Sequence, residues 1–124
     1  MRPAEFDALV EEAYARIPRR FRRRLKNVAI VVEAEPSAAQ LARARTPRGG
    51  TLLGLYEGRP LITRSVFEPF AMPDRITICQ GPHERLARSP EHLVKMVRDT
   101  VWHEVAHYFG MNEREVRAAE RRRR

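Results

Sequence analysis

Near the end of the sequence stands His103-Glu104-Val105-Ala106-His107, followed by Gly110 and then by Glu113. On a helix, residues four apart lie on one face, about one turn from each other. His103 and His107 can therefore take one metal ion without bending the backbone. Glu104 falls about 100° around the wheel from His103, within reach of a metal-bound water but badly placed as a ligand. Gly110 can adopt a positive φ and stop the helix. The turn after it can return Glu113 as a third ligand, with Glu115 the less favoured substitute. Two imidazoles, one carboxylate and an open fourth position describe a catalytic Zn²⁺ site, one ion per chain, rather than a closed structural one. A helix carrying two surface histidines is the bland alternative, and a glycine and a carboxylate at these offsets argue against it.

The preceding residues supply a helix of the right length. Ser89 can cap it, Pro90 suits its first turn, and Glu91 complements the positive end of its dipole. Leu93, Val94, Val97, Val101, Val105 and Tyr108 then form one apolar stripe at 3.6 periodicity. His103 and His107 share a wheel position with Met96 and Thr100 at the edge of that stripe. This puts the ligands on the border between core and cleft, where a rigid, partly dry metal site belongs.

At 124 residues, residues 1–124 are expected to form one domain with one core. No apolar run approaches the length of a membrane span. The N-terminus lacks a signal peptide's apolar stretch, and a lone Cys79 makes no internal disulfide; both point to the cytoplasm. The formal charge is +8, with much of the excess in Arg19-Arg20, Arg22-Arg23-Arg24 and a basic tail at 121–124. No aromatic residue interleaves with the tail, as a single-strand binder would require. A solvated basic surface is the favoured reading, and nucleic acid is a less favoured partner than a peptide or protein substrate. Nothing in the pattern sets the oligomeric state.

Residues 3–17 read as an amphipathic helix ended by Pro18, with Phe6, Leu9, Val10, Ala13, Tyr14 and Ile17 on one face. Val28 to Val32 is β-branched and almost continuously apolar, the pattern of an interior strand. Residues 33–50 read as a mobile loop, with room for a helical turn or two at Pro36–Ala42. Leu52–Tyr56 and Pro60–Thr63 flank Glu57-Gly58-Arg59 as a hairpin. Arg75–Cys79 alternates like a half-buried strand, and Arg75–Ile78 is taken as a sheet edge open to an added peptide strand. His83–Ala87 reads as a helical turn in which His83 is a loop-like residue, and His92 as an exposed residue of the next helix. A short last helix at Glu115–Glu120 precedes the tail. The expectation is an α+β domain: a small twisted mixed sheet packed on the metal-binding helix, with an N-terminal helix.

The chain resembles the zincin metallopeptidases, and in particular a family of very small bacterial zincin-like proteins. The likeness rests on Asn27–Glu33, Leu53-Gly54-Leu55-Tyr56-Glu57-Gly58, Pro73–Ile78 and Thr100–Gly110, and covers nearly the whole length. It implies a reduced zincin fold, zinc on the two histidines and an acidic third ligand, usually Asp. Here that position is Glu113, one methylene longer. Larger relatives place a methionine turn beneath the metal, and no methionine follows Glu113.

The chemistry so implied is peptide hydrolysis by a metal-activated water, with Glu104 as the general base. Tyr108, Arg64 and Arg75 are candidate oxyanion donors, Tyr108 being favoured as a buried structural residue. Cys79 is read as a packing residue in preference to a ligand. The rival reading is a non-catalytic, metal-stabilised basic domain that binds nucleic acid or a protein. A third is zinc-free dimerisation through the apolar stripe.

Overall fold

The computed structural model describes residues 1–58 and 74–110, together with Arg114, Ala118 and Arg121. Helix α1 (Pro3–Ala15) starts at a proline, and the Glu5 carboxylate accepts from both Arg2 N at 3.3 Å and Arg2 Nε at 3.0 Å. Its buried residues Phe6, Val10 and Ala13 recur at helical spacing, and Ile17 continues the face beyond its end. A short α2 (Arg19–Arg22) follows Pro18. Strand β1 (Val28–Glu33) comes next, entered through Asn27 at φ 58°. The 33–50 stretch read as loop carries α3 (Ala38–Arg43). Ser37 caps it, its hydroxyl accepting from Gln40 N at 3.1 Å while the Gln40 side chain accepts from Ser37 N at 2.8 Å. That reciprocal pair turns a helical turn or two into a defined helix.

Strands β2 (Gly54–Glu57) and β3 (Asp74–Cys79), then helices α4 (Gln80–Leu86) and α5 (Pro90–Tyr108), complete the described elements. The second arm expected for the hairpin, Pro60–Thr63, lies outside the described residues. Of the expected last helix only Ala118 is described, and it is helical, as are Arg114 and Arg121.

The sheet order is β1-β3-β2. β1 runs parallel to β3 in a register from Val28 opposite Asp74 to Glu33 opposite Cys79. β2 runs antiparallel to β3, Gly54 opposite Ile78 and Glu57 opposite Arg75. This corrects two expectations at once. β3, taken as an edge, is the central strand, and β1, taken as interior, is an edge among the described strands. Both sides of β3 are hydrogen-bonded, and Ile76, Thr77, Ile78 and Cys79 are all at most 1% exposed. Its alternation reflects chemistry on two covered faces, not one covered and one wet.

The core joins α1, β3 and α5. Leu93, Val97, Val101 and Val105 form the α5 ridge against Phe6, Val10, Ala13 and the two isoleucines of β3. That stripe is consumed inside the domain, which removes it as a dimerisation face. Between α1 and α5, Arg98 clasps Glu12 with Nη2–Oε1 at 2.7 Å and Nε–Oε2 at 3.1 Å. The guanidinium holds the Glu12 carboxyl below its usual pKa range. No helix among the described residues is long and apolar enough to cross a membrane.

Candidate metal centre

Helix α5 begins as the sequence requires. The Ser89 hydroxyl accepts from His92 N at 3.0 Å, Pro90 is the first helical residue, and Glu91 is in the first turn. His92 does more than sit exposed: half-buried, its Nδ1 accepts from Arg88 N at 3.0 Å and ties off the turn before the cap. Eighteen residues on, the helix ends at Tyr108, and Gly110 takes φ 76° with its N–H on the His107 carbonyl. His103, Glu104 and His107 thus occupy the last two turns.

The two imidazoles stand on one face, ring centroids 4.9 Å apart and planes inclined by 73°. Both are half-buried, whereas the Glu104 side chain is only 8% exposed. Its Oε1 lies 3.2 Å from His107 Nδ1. With that nitrogen facing the carboxylate, Nε2 is the position from which His107 can reach a metal. A nitrogen pair at this spacing suits zinc, and a buried carboxylate beside it suits proton transfer rather than ligation. Glu113 and Glu115 lie outside the described residues. Among the described residues no group of three His, Cys, Asp or Glu side chains gathers to hold an ion.

A cleft of about 400 Å³ opens beside this pair, lined by His103, Glu104, Thr100 and Asp99 from α5 and by Thr51, Leu53 and Gly54 from the opposite wall. Gly54 sets how close that wall comes. A Cβ there would stand 2.8 Å from Thr100 Cγ2, 3.1 Å from the Thr77 carbonyl and 3.4 Å from Glu104 Cγ. Its lack of a side chain lets β2 lie directly on α5 at the level of Glu104. Sequence reasoning did not single this residue out. The available signal was an isolated glycine inside a strand pattern, which marks close backbone approach.

His83 was also misread. It is fully buried in α4, with Nδ1 2.7 Å from the Cys79 carbonyl and Nε2 2.8 Å from Thr100 Oγ1. A neutral ring that donates Nδ1–H to the carbonyl presents a bare Nε2 to the threonine hydroxyl, whose single hydrogen is shared between that nitrogen and the Met96 carbonyl at 2.9 Å. The histidine therefore links the end of β3 to the cleft wall of α5. Burial pushes its pKa below the ordinary 6.5, against the raising effect of nearby carbonyls. In the unfolded chain it titrates near 6.5, so above that pH both states are neutral and it contributes nothing. As pH falls through 6.5 the unfolded chain binds a proton that the fold refuses, and stability declines until the lower folded pKa is reached. Denaturant unfolding across this window should slope downward toward acid, and His83→Gln should lose its part of the slope. Identical slopes in both proteins would remove His83 as the cause.

The remaining candidates separate cleanly. Tyr108 is buried, and its hydroxyl donates toward the Arg24 and Lys26 carbonyls at 3.4 and 3.3 Å, outside the cleft lining. Arg75 projects from β3 with Glu33 at 3.9 Å. Arg64 lies outside the described residues. Cys79 is buried, and desolvation, together with Glu33, Glu35 and Glu104, pushes its thiol up to about 11. A thiol so held is a packing group, not a thiolate ligand.

Among the described residues, a three-stranded mixed sheet laid on a helix that carries His-Glu-x-x-His is a reduced zincin-like fold. Residues 25–123 match the family model of the zincin-like metallopeptidases, and the chain belongs to that family. No curated protein matches the chain.

Proposed function

We propose that this chain is a zinc-dependent peptidase of one domain, residues 1–124, acting in the cytoplasm on peptide or protein substrates. His103 and His107 would hold one Zn²⁺ with Glu113 as the third ligand. The observation that carries this reading is the buried Glu104, fixed between His107 and the glycine-thinned wall of the cleft. When bound, zinc supplies a Lewis acid that makes a water molecule acidic near neutral pH and polarises a carbonyl. Glu104 takes a proton from the attacking water and returns it to the leaving amine. Its contact with His107 Nδ1 at 3.2 Å spares it a rotamer search. Leu53 and Thr51 give the cleft a wall along which an extended substrate can lie, a role that passes from β3 to this side of the sheet.

The metal assignment is checked by elemental analysis of protein purified without added metal. About one divalent ion per chain is expected for wild type, and none for the His103→Ala, His107→Ala double variant. A ratio unchanged by the double substitution would defeat it. In chelator competition, Glu113→Gln should weaken retention more than Glu115→Gln. The reverse order would transfer the third-ligand role to Glu115.

A further inference from the structure

Asp99 precedes His103 on α5 by four residues, about 6 Å along the helix axis. It lines the same cleft as His103 and Glu104 and is half-buried there. Two acidic residues thus line this space and, among the described residues, no Lys or Arg does. The chain itself shows what Asp99 takes. Its Oδ2 accepts from the Lys95 ammonium at 2.7 Å. Among the described residues Lys95 is its only ion-pair partner, and Oδ1 is left open. Lys95 is 60% exposed and stands four residues before Asp99, the weaker order for an i,i+4 ion pair. A solvated pair of this kind contributes little and yields readily to another cation.

The chain's net charge of +8 does not reverse this local sign. Phe21, within the arginine run at 19–24, packs on Trp102 with ring centroids 5.6 Å apart. Trp102 lies about 100° around the helix from His103 and about 140° from His107. The exposed arginines of that run face solvent on another side of α5, where their field is screened over about 8 Å at physiological salt. An extended peptide advances about 3.3 Å per residue, so about two residues span the distance from His103 to Asp99. Leu53, on the opposite wall, offers the aliphatic stem of a long cationic side chain an apolar surface. We infer that Asp99 is a specificity-determining residue. It selects substrates that carry a cationic group, a Lys or Arg side chain or a free amino terminus, within about two residues of the scissile bond. This rests on the peptidase reading above.

The test is fluorescence anisotropy on the zinc-loaded Glu104→Gln protein, which keeps the cleft and removes the proton acceptor. The four probes are a labelled peptide with one central lysine and its norleucine counterpart, each with a free and with an acetylated amino terminus. The lysine peptide should bind at least ~5-fold more tightly than the norleucine peptide at low salt and lose most of that margin at high salt. Asp99→Asn should erase the margin and leave norleucine binding and the melting midpoint unchanged. Lys95→Gln should widen it, because the internal competitor is gone. A role confined to helix stability would move both variants the same way. A margin that follows the free amino terminus instead of the lysine, and that Asp99→Asn also erases, would assign the cation to the chain end and uphold Asp99 as its acceptor. A margin that Asp99→Asn leaves intact, or that Lys95→Gln narrows, would overturn the inference, as would equal or absent binding of all four probes. Because binding is read without turnover, absent hydrolysis by wild type would count against the peptidase reading and leave this measurement intact.

Discussion

Glu104→Gln is expected to hydrolyse peptides at least ~100-fold more slowly than wild type, the lower end of what a positioned general base contributes, while binding zinc to the same extent. The substitution keeps the shape and removes the proton acceptor. An amide oxygen can still face His107 Nδ1, now 3.2 Å from the carboxylate, so the local hydrogen bond survives. Metal content should therefore separate this variant from the double histidine variant, which loses the ion. Both zinc-loaded proteins are incubated with a diverse peptide library, and new termini are read by mass spectrometry. Termini appearing equally with both proteins would mean a contaminating protease or a wrong base. None from either would favour the rival reading of a metal-stabilised basic domain.

The metal helix was legible because its information is local. A cap at Ser89, a stripe at 3.6 spacing and a glycine at position 110 each act within a turn or two of where they stand. The two imidazoles and Glu104 inherit their relative positions from helix geometry alone. Strand order has no such local code. β1 carries the unbroken apolar run expected of an interior strand, yet it lies outside β3, because pairing partners are chosen by the crossover through the rest of the fold. The reading of Arg75–Ile78 as an edge failed for the same reason: alternation reports the two faces of a strand and says nothing of its two edges. His83 was hidden because its partners, the Cys79 carbonyl and Thr100, come from β3 and α5. Glu113 was legible as a candidate through spacing after Gly110. The resemblance to small zincins and the match over residues 25–123 agree on the family, while each residue's role still rests on its own chemistry.

Gly54→Ala is expected to damage both stability and catalysis, and Thr100→Ser in the same chain should restore part of each. The added methyl would meet Thr100 Cγ2 at 2.8 Å, closer than real Cβ contacts come, and the Thr77 carbonyl at 3.1 Å. One of these is a side-chain methyl and the other is backbone of the central strand, so β2 must lift from α5 or α5 must shift. Overpacking of this kind costs about 1–3 kcal/mol. The catalytic loss is expected to be larger in proportion, because a β2 that lifts from α5 moves the cleft wall that Gly54 shares with His103 and Glu104. Displacing a reacting group by about 1 Å can cost ~100-fold in rate. Serine at position 100 removes the clashing methyl but keeps the hydroxyl that meets His83 Nε2 at 2.8 Å. The rescue should be incomplete, since the Thr77 carbonyl remains. Denaturant midpoints and kcat/KM on one peptide are measured for the two single variants and the double. Additive losses, with no recovery in the double variant, would mean that Thr100 is not what Gly54 makes room for. A Gly54→Ala protein as stable and as active as wild type would mean that β2 does not lie against α5 at Glu104, and the cleft wall described here would have to be rebuilt from another segment.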